Sequence, residues 1–142
     1  RAWMKSMAGE LVSVSVPGKE GLVAMAQDAD DLSAAVEPWP ARLLPAYDTV
    51  LMGHADKRWI LPDAREEKLV WKKAAVVRAV VVSRGVITAT WSHTKRSRAL
   101  DVTLSPMSGW DAAAYRDVEA DAARFAEHLG LELAAVTVDS RG

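Results

Sequence analysis

Residues 76–104 constrain the fold more than any other stretch of this chain. Residues 76–82, VVRAVVV, are β-branched and largely apolar, which specifies a buried strand. Ser83-Arg84-Gly85 is turn chemistry and sends the chain back into a second strand over residues 86–93, in which Ile87, Ala89 and Trp91 share a face. Residues 94–97 form a second, strongly basic turn, and residues 98–104 a third strand with Leu100, Val102 and Leu104 alternating. Three sequential strands joined by short turns make an antiparallel meander. A helix follows: Ser108 is placed to cap it, with Asp111 three residues on. Tyr115, Val118, Ala122, Phe125 and Leu129 then trace one apolar stripe. Gly130 ends the helix and residues 131–138 return as a strand. The fold class expected is α+β: a small antiparallel β-sheet or barrel-like domain with one long amphipathic helix near the C-terminus.

The N-terminal part is organised differently. Residues 1–8 suit the last turns of a helix. Residues 10–16 alternate Leu11, Val12, Val14 and Val16 with serines, as a half-exposed strand does. Residues 17–21, PGKEG, turn the chain, residues 22–26 form the returning strand, and residues 28–35 suit a short helix. Glu37-Pro38-Trp39-Pro40 is the best internal boundary, dividing the chain into residues 1–37 and 38–142.

Between the boundary and the meander lies LLPAYDTVLMGHADKR, residues 43–58. Leu43 and Leu44 end at Pro45. Tyr47, Val50 and Leu51 then fall on one helical face, with Asp48 as N-cap and Gly53 placed to close the turn in a left-handed conformation. His54, Asp56, Lys57 and Arg58 make a polar corner braced by Trp59, Ile60 and Leu61, a way for a chain to position contact groups. Its bland counterpart is a helix C-terminus with cations near the carbonyl end. The spacing predicts Leu43, Leu44 and Leu51 buried, and Lys57 and Arg58 exposed. Residues 63–73 are charged and read as a short helix or an irregular loop.

The run Leu43-Leu44-Pro45-Ala46-Tyr47-Asp48, followed by Leu51, Gly53-His54-Ala55-Asp56-Lys57-Arg58 and Ile60-Leu61, resembles a bacterial winged-helix DNA-binding family. That family includes DNA glycosylases acting on alkylated bases and interstrand crosslinks. A later pair of strands ending near Trp91 matches more loosely, with Ala89 where the family commonly has glycine. The resemblance spans roughly residues 40–130. It implies a motif framework of Leu44, Pro45, Tyr47, Asp48, His54, Asp56 and Trp91, and double-stranded DNA as the partner of the full-length protein. It also turns the strand–turn–strand of residues 10–26 into the wing of a winged helix. The family's catalytic Gln-x-Gln or Gln-x-Asp motif is not met: Gln27 is the sole glutamine, so no catalytic residue is carried over. The chain opens on Arg1-Ala2-Trp3-Met4 and reads as part of a longer protein.

Charge supports the same direction. The net charge is −1, yet the segment from Lys57 to Arg98 holds eleven Lys/Arg against three Asp/Glu, a balance of +8, and the remainder balances at −9. Such asymmetry can mark a polyanion-facing part, because each neutralised phosphate releases counterions. Lys57, Arg58, Arg84, Lys95, Arg96 and Arg98 are the candidate phosphate contacts. Trp59 and Trp91 offer ring faces, with core packing as the plainer role for both. No base-reading basic helix accompanies them. Half the residues are apolar, which excludes a disordered chain, and no apolar run approaches the roughly 20 residues of a membrane span. There are no cysteines, which fits a cytoplasmic protein and excludes disulfides and thiolate metal sites. No metal-ligand set, phosphate-binding glycine loop or dinucleotide fingerprint is present, so no metal or cofactor is expected. Two functions follow: a non-catalytic, phosphate-contacting part of a DNA glycosylase-like protein, or a small α+β interaction or regulatory domain whose basic turns are only solvated.

Overall fold

Strand β6 (Val80–Ser83) sits at the heart of the larger of two units and explains its architecture. Val80 and Val81 are both fully buried although their side chains point to opposite sides of the strand. Both faces of the sheet must therefore be covered, and this is why the segment reads as a continuous apolar run rather than an alternating one. The structure is a computed structural model that describes residues 6–16, 19–34 and 39–139. The chain divides into two compact units, residues 1–37 and 38–142.

In the first unit, β1 (Leu11–Val16) and β2 (Lys19–Met25) pair antiparallel. Val14 faces Leu22 and Val16 faces Lys19, so the second strand carries one extra residue there. Gly21 takes it up with φ 67°, the left-handed conformation expected of glycine at a bulge. The returning strand thus begins three residues earlier than the turn-rich composition of residues 17–21 suggests. A 3-10 turn at Ala26–Asp28 and helix α1 (Ala29–Ser33) follow. The helix expected over residues 1–8 lies largely outside the described residues, and Met7 to Glu10 is turn.

In the second unit, β3 (Arg42–Leu44), β6, β7 (Val86–Arg96), β8 (Ala99–Pro106) and β9 (Glu132–Val138) form one open sheet in the order β3-β6-β7-β8-β9. The meander β6-β7-β8 is antiparallel, but β9 pairs with β8 in parallel. The sheet is therefore mixed, and it does not close into a barrel, which corrects the all-antiparallel, barrel-like expectation. The reason is the helix α4 (Tyr115–His128): a helical crossover between β8 and β9 brings the chain back in the same direction. Gly130, at φ 68°, ends that crossover.

Helix α4 covers one sheet face, packing Val118, Ala122 and Ala126 on Val81, Ala89, Leu100, Val102 and Leu104. The other face is covered by the excursion between β3 and β6. It contains α2 (Thr49–Met52), α3 (Glu67–Val70) and the hairpin of β4 (Trp71–Lys72) and β5 (Val76–Val77). Leu51, Ile60, Leu61, Val70 and Val77 pack there against Val80, Ile87 and Met107. Residues 76–82 are consequently not one strand. Val76 and Val77 pair with Lys72 and Trp71, and only Val80 onward joins the main sheet.

Three further expectations change. Ile87 does not share a face with Ala89 and Trp91: Val81 faces Ala89 but Val82 faces Ile87, and the bulge at Thr88 turns Ile87 to the second core. The turn between β7 and β8 is Ser97-Arg98 alone, because the ladder runs on to the Arg96–Ala99 pair. Ser108 does not cap the helix. Its hydroxyl and its N–H both bond the Glu66 carboxylate at 2.8 Å, and Asp111 caps the preceding 3-10 turn by accepting from Ala113 N–H.

Candidate nucleic-acid interface

The corner at residues 43–58 is built by short-range bonds. Asp48 Oδ1 accepts from Val50 N–H at 2.8 Å and caps α2. The left-handed residue of this corner is Tyr47, at φ 62°, and Gly53 stays right-handed at φ −71°. A Cβ at Gly53 would lie 2.9 Å from the Thr49 carbonyl oxygen, so glycine serves here for close approach and not for a positive φ. Pro45 ends the apolar run. Leu43 and Leu44 are half-buried and Leu51 is fully buried. The Leu44 carbonyl accepts from Trp91 Nε1 at 2.9 Å, tying the corner to β7.

Lys57, expected to be exposed, is half-buried. Its Nζ donates to the carbonyls of Leu51, at 2.9 Å, and His54, and lies 5.1 Å from the centre of the Trp71 ring. The ammonium thus satisfies carbonyls left open at the end of α2, the role of a C-terminal cation. Arg58 is exposed but engaged: its guanidinium binds Asp56 through two nitrogens, at 2.9 and 3.0 Å. Asp56 holds the Arg58 guanidinium more firmly protonated than usual. His54 is exposed and meets Trp59 edge-on at 4.7 Å. Arg65, by the same chelate as Arg58, holds the Asp63 carboxyl down to about 2.

The remaining cations fall into two sets. Arg84, at φ 51° beside Gly85 at φ 80°, heads a tight β6–β7 turn with its guanidinium 3.3 Å from Asp111. Arg96 lies 2.7 Å from Asp101. Lys95 and Arg98 are exposed and, among the described residues, enter no ion pair. The tip of the β7–β8 hairpin therefore presents Lys95, Arg96 and Arg98 with one carboxylate between them. Arg58 and Arg84 stand at two other turns, apart from this tip in the chain.

Sequence reasoning passed over two features. Lys68, Lys72 and Lys73, with Trp71, line an open depression of about 650 Å³ beside the β4–β5 hairpin. The signal for it was the spacing of three lysines around a tryptophan, hidden because residues 63–73 read only as a short helix or an irregular loop. A second cleft, of about 460 Å³, opens where β7 outruns β6. Trp91, His93 and Phe125 form a cluster of mutually tilted rings in its wall, 5.3 to 5.8 Å apart. No group of three or more His, Asp or Glu converges anywhere among the described residues.

Comparison with known proteins places this geometry. The family model described as DNA glycosylase AlkZ-like matches residues 1–128, a wider span than the motif of residues 43–58 alone carries. An interstrand DNA cross-link repair glycosylase from Streptomyces sahachiroi is 25% identical over 131 residues, covering 92% of this chain and 34% of that protein. The solved structure of Streptomyces sahachiroi DNA glycosylase AlkZ superposes with a TM-score of 0.81 at 23% identity, over 98% of this chain and 36% of that one, a likeness of fold. The chain spans about a third of the length of the relatives it matches. The extent of the family match makes this chain a member of the AlkZ-like DNA glycosylase family.

Proposed function

We propose that this chain is the scaffold and phosphate-contacting portion of a DNA-repair glycosylase, and that it holds double-stranded DNA without reading its sequence. The observation that carries this is the β7–β8 tip, where Lys95, Arg96 and Arg98 stand exposed within four residues of each other. Cations at a turn reach phosphate oxygens but carry no array of donors matched to base edges. Arg58 and Arg84 supplement them from separate turns, each exchanging its carboxylate for a phosphate, and Lys57 acts behind them as a brace. The motif residues Leu44, Pro45, Tyr47, Asp48, His54, Asp56 and Trp91 shape and anchor the corner rather than do chemistry. The β1–β2 hairpin serves as the wing of a winged helix formed with residues nearer the N-terminus. Hydrolysis of the glycosidic bond belongs to the glutamine-containing motif that this stretch lacks, in a cytoplasmic protein.

The test is a fluorescence-anisotropy titration of the chain with a labelled duplex at several salt concentrations. Removing Lys95, Arg96 and Arg98 together should lower the slope of log K against log salt by up to about three, roughly one per phosphate contact. An unchanged slope would remove this tip from the interface. An absence of binding even at low salt would favour an interaction or regulatory domain.

A further inference from the structure

We infer that α3 and the β4–β5 hairpin form a second phosphate-binding element, in which Lys68 of the helix and Lys72 and Lys73 of the hairpin take the phosphodiester backbone of DNA over a floor formed by Trp71. The inference rests on the proposed DNA role of this chain and names residues that role does not include.

Three independent observations converge on the hairpin. First, its cations are uncommitted. Arg58, Arg65, Arg84, Arg96 and Arg124 each lie within 3.3 Å of a carboxylate oxygen. Among the described residues, Lys68, Lys72 and Lys73 enter no ion pair, and all three are exposed. Three ammonium groups around one depression repel each other without an anion, and a phosphate relieves that repulsion.

Second, the floor is rigid and already polarised. Trp71 is half-buried and its Nε1 donates to the Leu51 carbonyl at 3.2 Å. Lys57 Nζ, pinned by the α2 carbonyls, sits against the same ring. A fourth positive charge therefore lies against the same ring. The ring also offers apolar area to a deoxyribose or base edge between phosphates.

Third, the tip is strained. Trp71 pairs with Val77 and Lys72 with Val76, leaving Lys73, Ala74 and Ala75 to close the hairpin. Ala74 and Ala75 are both left-handed, at φ 62° and 58°. Alanine has neither the freedom of glycine nor the local hydrogen bonds of asparagine in that region. Backbone strain concentrates where a chain must present contact groups in a set geometry. Here it projects Lys72 and Lys73 from a two-residue ladder packed on the second core through Val70 and Val77.

The experiment is the salt titration of the duplex with the whole chain carrying Lys72→Ala and Lys73→Ala, run beside the Lys95, Arg96 and Arg98 variant. The hairpin substitutions should lower the slope by about two, and arginine at both positions should restore it. Unchanged thermal midpoints would show that both variants are folded. A hairpin variant that binds like the parent, while the β7–β8 variant is weakened, overturns this inference and leaves the proposed function standing. The reverse pattern upholds the hairpin and removes the β7–β8 tip. A parent chain that fails to bind at low salt overturns both.

Discussion

Arg65 and Arg58 illustrate how local spacing consumes charge. Each follows an aspartate by two residues, donates its own backbone N–H to that carboxylate, and closes the ring with its guanidinium. A side chain in such a chelate is worth little to stability at the surface, and its guanidinium has to leave the carboxylate before it can meet another anion. The Asp63 carboxyl records the effect, titrating at about 2 because Arg65 bonds its charged form. Carboxyl NMR of the Arg65→Ala chain should find Asp63 back towards its ordinary value of 3.8. The sign follows: a depressed folded value adds stability above the unfolded value, and that share disappears as pH falls from near 3.8 towards 2. An Asp63 midpoint indifferent to the loss of Arg65 would mean that another group depresses it.

Elements in this fold are held at their edges as much as in their cores. β3 is an edge strand, and its outward N–H groups do not wait for another chain. Ala41 N–H donates to Asp117 Oδ2 at 3.0 Å and Leu43 N–H to Asp121 Oδ2 at 2.7 Å. The two aspartates are one helical turn apart on α4, which matches the two-residue repeat of the strand closely enough to serve both donors. α2 has only four residues and cannot stand by propensity, so it depends on its cap, on Lys57 at its end and on Leu51. Leu51→Ala should cost about 2–5 kcal/mol, the range for truncating a buried leucine. Leu69→Ala, at a side chain 45% exposed, should cost far less. Chemical denaturation of the two variants makes the comparison, and similar losses would mean that the second core does not depend on α2.

At the scale of the molecule, a net charge of −1 conceals an uneven distribution of charge along the chain. The acidic residues of α4 are spent on β3 and on its own surface, while the segment from Lys57 to Arg98 contributes cations at turns, on the short helix α3 and in one small hairpin. Because none of these lies on a recognition helix, two duplexes of unrelated sequence should bind this chain within a factor of about three at equal salt, since base contacts are what add kilocalories of discrimination. Competition between two such duplexes in the same anisotropy assay measures it. A preference of a hundredfold would require base readout and would displace a phosphate-only interface.

The sequence alone determined what depends on neighbours along the chain. Asp48 as a cap, Gly130 as a helix stop and the Ser83-Arg84-Gly85 turn are set by bonds within a few residues, and the meander from residue 80 onward by pairing between strands that directly follow one another. The resemblance in residues 43–58 was legible because unlike residues recur there in order. Only the tertiary structure decided how those pieces use one another. The parallel pairing of β9 and the bulge that turns Ile87 to the second core depend on surfaces distant in sequence. So does the split of residues 76–82 between two sheets: a valine run announces burial on both sides, but what covers each side lies elsewhere in the chain.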